Sequence, residues 1–239
     1  MNAYISLGLC LLPICFLSNK FKIPMLKIFS IICFSLSLFT TLQLGNRTGL
    51  VIVIISIFMV LFLTDKMGMK KIISILSLML FLLIVNFLYK QNFWGLKFVW
   101  ENSYMHSRFT SSNLEEDPRF TAWKSAFWGL FEHPFGGRET EIAIGYAHNL
   151  WLDIGYDVGV LPLLILLVFT LISLKSVILF IKFGHPVFLK GLIIALYTSF
   201  IITFFVEPIL QGLIIYFTFF CFIVGAVQRL NFDLKRSKL

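Results

Sequence analysis

The chain has 239 residues, of which 59% are hydrophobic and 13% are charged, and its formal net charge is +8. A water-soluble protein of this length has too few polar residues to cover that much apolar surface, so a soluble domain is excluded. The basic residues occur in short clusters between apolar runs, which favours membrane topology over nucleic-acid binding, and no nucleic-acid partner is expected.

Seven apolar runs with soft ends follow one another along the chain. They cover about 3–18, 26–44, 48–64, 72–89, 160–181, 191–206 and 208–227. Most reach the ~17–25 residues that a helix needs to cross a bilayer, and continuous apolar runs favour helices over barrel strands. The sequence predicts an all-α fold, a polytopic transmembrane helical bundle of about seven spans that forms a single membrane domain over 1–239.

The basic residues also predict an orientation. Most of the 20 Lys and Arg residues lie in four connections that fall on one side of a seven-span chain. The positive-inside rule makes that side the cytoplasm, so the 90–159 loop and the neighbourhood of Arg47 are expected to be extracytoplasmic. No basic residue precedes the first run. We therefore expect a chain that begins partway through a larger architecture, or a naturally short form.

Cysteine and acidic residues give no indication of a metal site. Cys10, Cys15, Cys33 and Cys221 all lie inside apolar runs, where small buried residues are favoured over disulfides or metal ligands. The acidic run at 115–117 is expected to be solvated and to cap a helix. We therefore expect neither a metal nor another cofactor.

The 90–159 loop carries the polar residues on which any chemistry depends, and its clearest element is a predicted helix over 117–131. Asp117 is a good N-cap, and Pro118 suits the first helical position. The apolar spacing predicts an interfacial amphipathic helix whose aromatic face points toward lipid or toward the bundle. That face comprises Phe120, Trp123, Phe127, Leu130 and Phe131. A His-Pro pair and two glycines at 133–137 are expected to end the helix.

Two arginines are candidate ligands for a phosphate. Arg119 lies in the first turn of the predicted helix, where free N–H groups and the helix dipole favour anions. A guanidinium binds phosphate oxygens in bidentate fashion, although an interfacial arginine can instead reach lipid head groups. Arg47 lies at the mouth of the third run, where a charge usually has a partner or a ligand, or else anchors a helix end.

A histidine with polar neighbours completes the candidate site. The neutral imidazole of His148 suits a general base, and Asn149 is placed to orient it or a substrate hydroxyl. Asp153 and Asp157, one and two helical turns further on, are candidates to hold a sugar or to steady the histidine. The alternatives are a solvated loop histidine and ordinary polar residues. Together these residues suit a ligand that bears phosphate and sugar and is presented from the membrane.

RFTAWKSAFWGLFEHPFGG at 119–137 and AHNLWLDIGYDVGVLPLLILL at 147–167 resemble the outer loop of bacterial O-antigen ligases and O-antigen polymerases. GNRTG at 45–49 resembles the family's Ser-Arg-Thr/Gly element at the outer end of a span, with Asn46 where serine is usual. The resemblance covers about 40–180. Family members usually have ten or more spans, so the chain resembles their C-terminal part.

The resemblance implies an inverting glycosyltransferase of the bacterial inner membrane, acting in O-antigen or related surface polysaccharide assembly. It would move an oligosaccharide from undecaprenyl diphosphate to a hydroxyl of an acceptor glycan or of the lipid A core. Arg47 and Arg119 would bind the diphosphate, and His148 would activate or orient the acceptor hydroxyl. The possible substrate contacts are Arg138, Asn149 and Asp153. Paired arginines can stabilise the diphosphate leaving group without a metal.

Several functions stay open at this point. Polymerase is slightly favoured over ligase, because HNLWLD with the Gly-Gly turn resembles polymerases, and glycan transfer onto protein is a third option. A non-catalytic transporter or flippase for lipid-linked sugars belongs to another class, and charge within the spans would favour it. An inactive truncated family member is the remaining alternative.

Overall fold

The computed structural model describes residues 24–45, 47–64, 83–84, 86–110 and 118–236. Regular structure in these ranges is helical and contains no strand, which confirms the all-α class. The run predicted over 3–18 and most of the run over 72–89 lie outside the described residues, as do Asn46 and Asp117. The count of seven spans therefore stays a prediction.

The helices fall into three groups along the chain. Before the loop come α1 (Pro24–Gln43) and α2 (Arg47–Leu63). The loop contains a 3-10 turn (Phe93–Gly95), α3 (Leu96–Glu101), α4 (Tyr104–Thr110), α5 (Pro118–Glu132) and α6 (Leu150–Val158). The C-terminal part contains α7 (Val160–Lys182), α8 (Val187–Val206), α9 (Ile209–Gly212) and α10 (Ile214–Arg236).

In the described residues, α7, α8 and α10 are the helices long and apolar enough to cross a membrane. Along α7, large apolar side chains such as Leu161, Ile165 and Leu171 point away from the protein, each with more than half of its surface exposed. A surface of this kind is unfavourable in water and suits a hydrocarbon solvent. These three helices support the prediction that the chain is a membrane protein.

The seventh apolar run differs from its prediction over 208–227. Glu207 is extended and caps α8 at its C-terminal end, as expected for a residue that precedes a proline. Pro208 then leads into the short helix α9, and α10 begins only at Ile214. At its far end α10 continues past the apolar run to Arg236. There Asn231 donates to the Ser176 backbone oxygen, and Arg229 pairs with Asp233 on the exposed side.

The largest core lies between α6, α7, α8 and α10 and is rich in aromatic rings. Phe200 and Phe204 of α8 pack against Tyr216 and Phe220 of α10, and all four side chains are almost fully buried. Rings at these contacts lie edge-on or tilted, the arrangement that aromatic pairs prefer. This core holds the helices onto which the loop region packs.

A second core joins α2 to α8. The buried face of α2 repeats every three or four residues through Gly49, Ile52, Ser56 and Val60. Ile52 and Val60 pack with buried residues of α8, among them Ile194. Small residues at such a face let two helices approach closely. The helix that begins with Arg47 is therefore fixed on α8.

Candidate functional site

α5 begins at Pro118, as the sequence predicts, and small residues form the side of the helix that packs on the protein. Ala122, Ala126 and Gly129 are buried there together with Leu130. A Cβ added at Gly129 would overlap the side chain of Thr140. The absence of bulk on this side lets the 133–149 segment lie directly against the helix.

The aromatic face predicted for this helix divides in two. Phe120, Phe127 and Phe131 are exposed and point away from the described bundle, whereas Trp123 is half-buried against the 133–149 segment. Leu130, predicted on the same face, is buried. The helix exists, but its position at a membrane surface stays a prediction.

The turn after α5 is fastened to α6 by backbone hydrogen bonds. α5 ends at Glu132, at the His-Pro pair that the sequence predicts as its end. The Gly137 N–H donates to the Asp157 oxygen at 3.1 Å, and the Val160 N–H donates to the Pro134 oxygen at 2.9 Å. The glycine-rich turn is thereby held on the C-terminal end of α6.

Arg138 and Asp157 form a bidentate ion pair across this turn. The Arg138 Nε and Nη2 atoms donate to the two Asp157 oxygens at 2.8 and 3.0 Å. These hydrogen bonds raise the pKa of the Arg138 guanidinium. Asp157 therefore engages Arg138, whereas the sequence offered it as a partner for the histidine or a sugar. Arg138 itself remains mostly exposed and accessible.

The backbone around His148 is held by a buried carboxylate. Asp153 is fully buried, and its two oxygens accept hydrogen bonds from the Ala147 N–H at 2.6 Å and the Asn149 N–H at 3.1 Å. Burial raises the pKa of Asp153 to about 6, although these two hydrogen bonds lower it. His148 lies between the two donors with a φ of 56°. Both Asp153 oxygens, predicted as a possible substrate contact, are thus engaged within the protein.

Asn149 is the N-cap of α6. Its side-chain oxygen accepts from the Trp151 and Leu152 N–H groups at 3.2 Å each, which satisfies donors that a helix leaves free at its start. Its Nδ2 atom donates to the backbone oxygen of Phe205, near the end of α8, at 3.4 Å. Asn149 therefore attaches the histidine loop to α8.

Trp123 brings α5 to the histidine loop. Its Nε1–H donates to the Ala147 oxygen at 2.8 Å, one residue before His148. Arg119 is half-buried and lies one helical turn before Trp123, and side chains four residues apart share a helix face. The structure thus brings the helix face that carries Arg119 to the loop that carries His148.

Arg47 is placed by a longer chain of contacts. It is the first residue of α2 and is half-buried. α2 packs on α8, and Asn149 binds the backbone of α8 at Phe205. The elements that carry Arg47 and His148 are therefore joined through α8, and the convergence of the two side chains on one face stays a prediction.

Two further side-chain contacts in the loop were not predicted from the sequence. The His133 Nδ1 atom lies 2.7 Å from a Glu139 carboxylate oxygen, and the Tyr146 and His148 rings are 4.6 Å apart. A glycine-rich turn separates His133 from Glu139, so no regular spacing announces the pair. Within the described ranges, no group of three or more His, Cys, Asp or Glu residues is arranged to hold a metal ion.

Comparison with known proteins finds no matching family model, curated protein or solved structure. The chemistry of the site therefore rests on its own geometry. That geometry places Arg119 in the first turn of α5 and His148 on a loop bound by a carboxylate, and the hydrogen bond from Trp123 to Ala147 joins the helix to the loop.

Proposed function

We propose that the chain is an inverting membrane glycosyltransferase. It transfers an oligosaccharide from undecaprenyl diphosphate to an acceptor hydroxyl in the assembly of O-antigen or a related surface polysaccharide, as a polymerase in preference to a ligase. The observation that carries this proposal is the 2.8 Å hydrogen bond from Trp123 to Ala147. It supports a site in which a phosphate-binding arginine and a general base act on one ligand.

The reach of the side chains is consistent with such a ligand. Residues at i and i+4 on a helix have Cβ atoms roughly 5–6 Å apart. The Arg119 side chain therefore leaves α5 about one helical turn from Trp123, whose indole ring binds the histidine loop. Arg119 also lies in the first turn of α5, where the positive end of the helix dipole favours an anion. In this proposal the diphosphate binds at the start of α5 and the sugar points toward His148.

The proposed step is a direct displacement at the anomeric carbon. His148 accepts the proton of the acceptor hydroxyl as its oxygen bonds to that carbon, and the bond from the carbon to the diphosphate oxygen breaks. The diphosphate leaves with the electron pair, and Arg47 and Arg119 offset its growing negative charge. Attack from the face opposite the leaving group inverts the configuration.

Surrounding residues take different roles in this proposal. The exposed guanidinium of Arg138 is available to a sugar hydroxyl or a phosphate, and Asp157 fixes its direction through two hydrogen bonds. Asn149 orients the loop, because its side-chain oxygen caps α6 and its Nδ2 atom donates to the Phe205 oxygen of α8. We therefore retain Arg138 as a substrate contact and assign Asn149 to positioning.

The exposed aromatic side of α5 supports a donor presented from the membrane. Phe120, Phe127, Trp128 and Phe131 all lie on it with about half or more of their surfaces exposed, and Lys124 lies among them. An aromatic surface with a basic residue suits the boundary between acyl chains and head groups. In that position the start of α5 meets the diphosphate of a polyprenyl carrier.

The test replaces the gene in its own cells with His148→Ala or Arg119→Ala and compares surface glycan ladders on gels. Both variants should lose polymeric or ligated glycan while protein level and flipping of the lipid-linked unit stay normal. Arg229→Ala is the matched control, because Arg229 is an exposed residue of α10 that pairs with Asp233. Single repeat units attached to the core would identify a polymerase, and polymer left on the carrier a ligase.

Normal ladders from both variants would defeat the enzymatic proposal. Loss of flipping by the same variants would favour the transporter alternative instead. Protein levels are measured on the same membranes, so that a folding defect is not read as a loss of chemistry.

A further inference from the structure

Two hydrogen bonds to the buried carboxylate of Asp153, called the bracket below, hold the backbone on both sides of His148, the proposed general base. Asp153 is 0% exposed, and it accepts from the N–H groups immediately before and after His148. The Ala147 carbonyl accepts from Trp123 at the same place. Three hydrogen bonds therefore hold three consecutive peptide groups, 146–147, 147–148 and 148–149, of which the last two flank His148.

His148 needs such support because its backbone is in the left-handed region, with a φ of 56°. A residue with a Cβ adopts this conformation at a cost, and it persists where the surroundings determine it. The Tyr146 ring, 4.6 Å from the imidazole, fixes the side chain from a second direction. The bracket formed by Asp153 is the polar part of that support.

We propose that Asp153 is a positioning residue that holds His148 in the left-handed conformation from which its imidazole meets the acceptor hydroxyl. The inference rests on the proposed function and deepens it. Asp153 touches neither donor nor acceptor, because it is buried and both oxygens are engaged. This replaces the substrate contact that the sequence indicated for Asp153.

The bracket requires the ionised carboxylate. A carboxylate accepts at both oxygens, whereas a carboxylic acid or an amide carries a donor that cannot face a second N–H. Burial raises the pKa of Asp153 to about 6, Asp157 on the same helix also raises it, and Arg138 on the adjoining turn lowers it. With this pKa the carboxylate is mostly ionised at neutral pH, as its two hydrogen bonds to the loop require.

The experiment measures the positioning of His148 and glycan transfer in the same membranes. Asp153→Asn keeps the side-chain size but replaces one acceptor with a donor. Its transfer should fall at least tenfold, and the rate at which diethyl pyrocarbonate modifies His148 should change several-fold. His133 is the internal control and should react at the wild-type rate. Asp233→Asn, an exposed change on α10, should leave both readouts unchanged.

A second measurement does not depend on whether the variant folds. In the wild-type protein at neutral pH, hydrogen exchange of the Ala147 and Asn149 amides should be much slower than their intrinsic rates, because both N–H groups donate to Asp153. Asp153→Glu, which keeps both carboxylate oxygens, should restore part of the transfer that Asp153→Asn loses. Exchange of both amides near their intrinsic rates would overturn the inference.

The outcomes separate the two proposals. If His148→Ala transfers glycan normally, the proposed function fails. If His148→Ala is inactive while Asp153→Asn keeps wild-type transfer and wild-type reactivity of His148, the positioning role alone fails. A loss of protein without any change in His148 reactivity would assign Asp153 to stability only and would also contradict the inference.

Discussion

Replacing Trp123 with phenylalanine removes the indole donor that joins α5 to the histidine loop. The 2.8 Å hydrogen bond to Ala147 is lost, which costs about 1 kcal/mol. Ala147 is fully buried, so its carbonyl is left without this donor at a further cost of about 1–2 kcal/mol. We expect Trp123→Phe to lower the free energy of unfolding by about 2–3 kcal/mol and to reduce glycan transfer, because the helix that carries Arg119 loses its hydrogen bond to the histidine loop.

The assay is reversible unfolding of the purified protein in mixed micelles, followed by circular dichroism. Trp128→Phe is the matched control, because Trp128 lies on the same helix and is 57% exposed. Its effect should stay within about 0.5 kcal/mol. Asp153→Asn also affects Ala147, because Asp153 accepts from the Ala147 N–H and Trp123 donates to the Ala147 oxygen. The unfolding free energy lost by the double variant should therefore be smaller than the sum of the two single losses. Equal effects of Trp123→Phe and Trp128→Phe would refute the reasoning.

Two further predictions concern the turn and the buried acid. Gly159 has a φ of 100°, and a Cβ there would lie 2.5 Å from the Pro134 oxygen, so Gly159→Ala should destabilise by about 3 kcal/mol or more. Gly212→Ala, with nothing within 4 Å of the added Cβ, is its control, and both are measured by unfolding in micelles. The raised pKa of Asp153, about 6 against 3.8, means that the folded protein holds this proton more tightly than the unfolded chain. Ionisation therefore costs stability as pH rises between these values, and relative to Asp153→Asn the wild type should lose roughly 3 kcal/mol between about pH 4 and pH 7. A constant difference across that range would contradict the burial of Asp153.

The long helices and the end of α5 could be predicted from the sequence because lipid and turn chemistry leave local signals. The run at 160–181 becomes Val160–Lys182, since a span must be continuously apolar. The His-Pro pair ends α5 at Glu132, since its proline cannot continue the helix. The same signals miss the interruption at Leu213, where an apolar residue lies in a run that hydropathy reads as continuous.

The arrangement of the site could be predicted only in part, because it depends on contacts between residues distant in the chain. Trp123 appeared as one member of an aromatic face, but 24 residues separate it from the carbonyl that it binds. Asp153 appeared as a polar residue near the histidine, and its complete burial follows from packing of α6 on α5, α7 and α8. Residue types suggested the chemistry, whereas tertiary packing determines which side chains act directly and which hold others in place.

The most direct test of the central claim is the affinity of the protein for undecaprenyl diphosphate in lipid nanodiscs, measured by native mass spectrometry. If Arg47 and Arg119 hold one diphosphate, each change to alanine should weaken binding by roughly 10-fold or more, and Arg229→Ala should bind as the wild type does. Equal affinity of all four proteins would contradict the account.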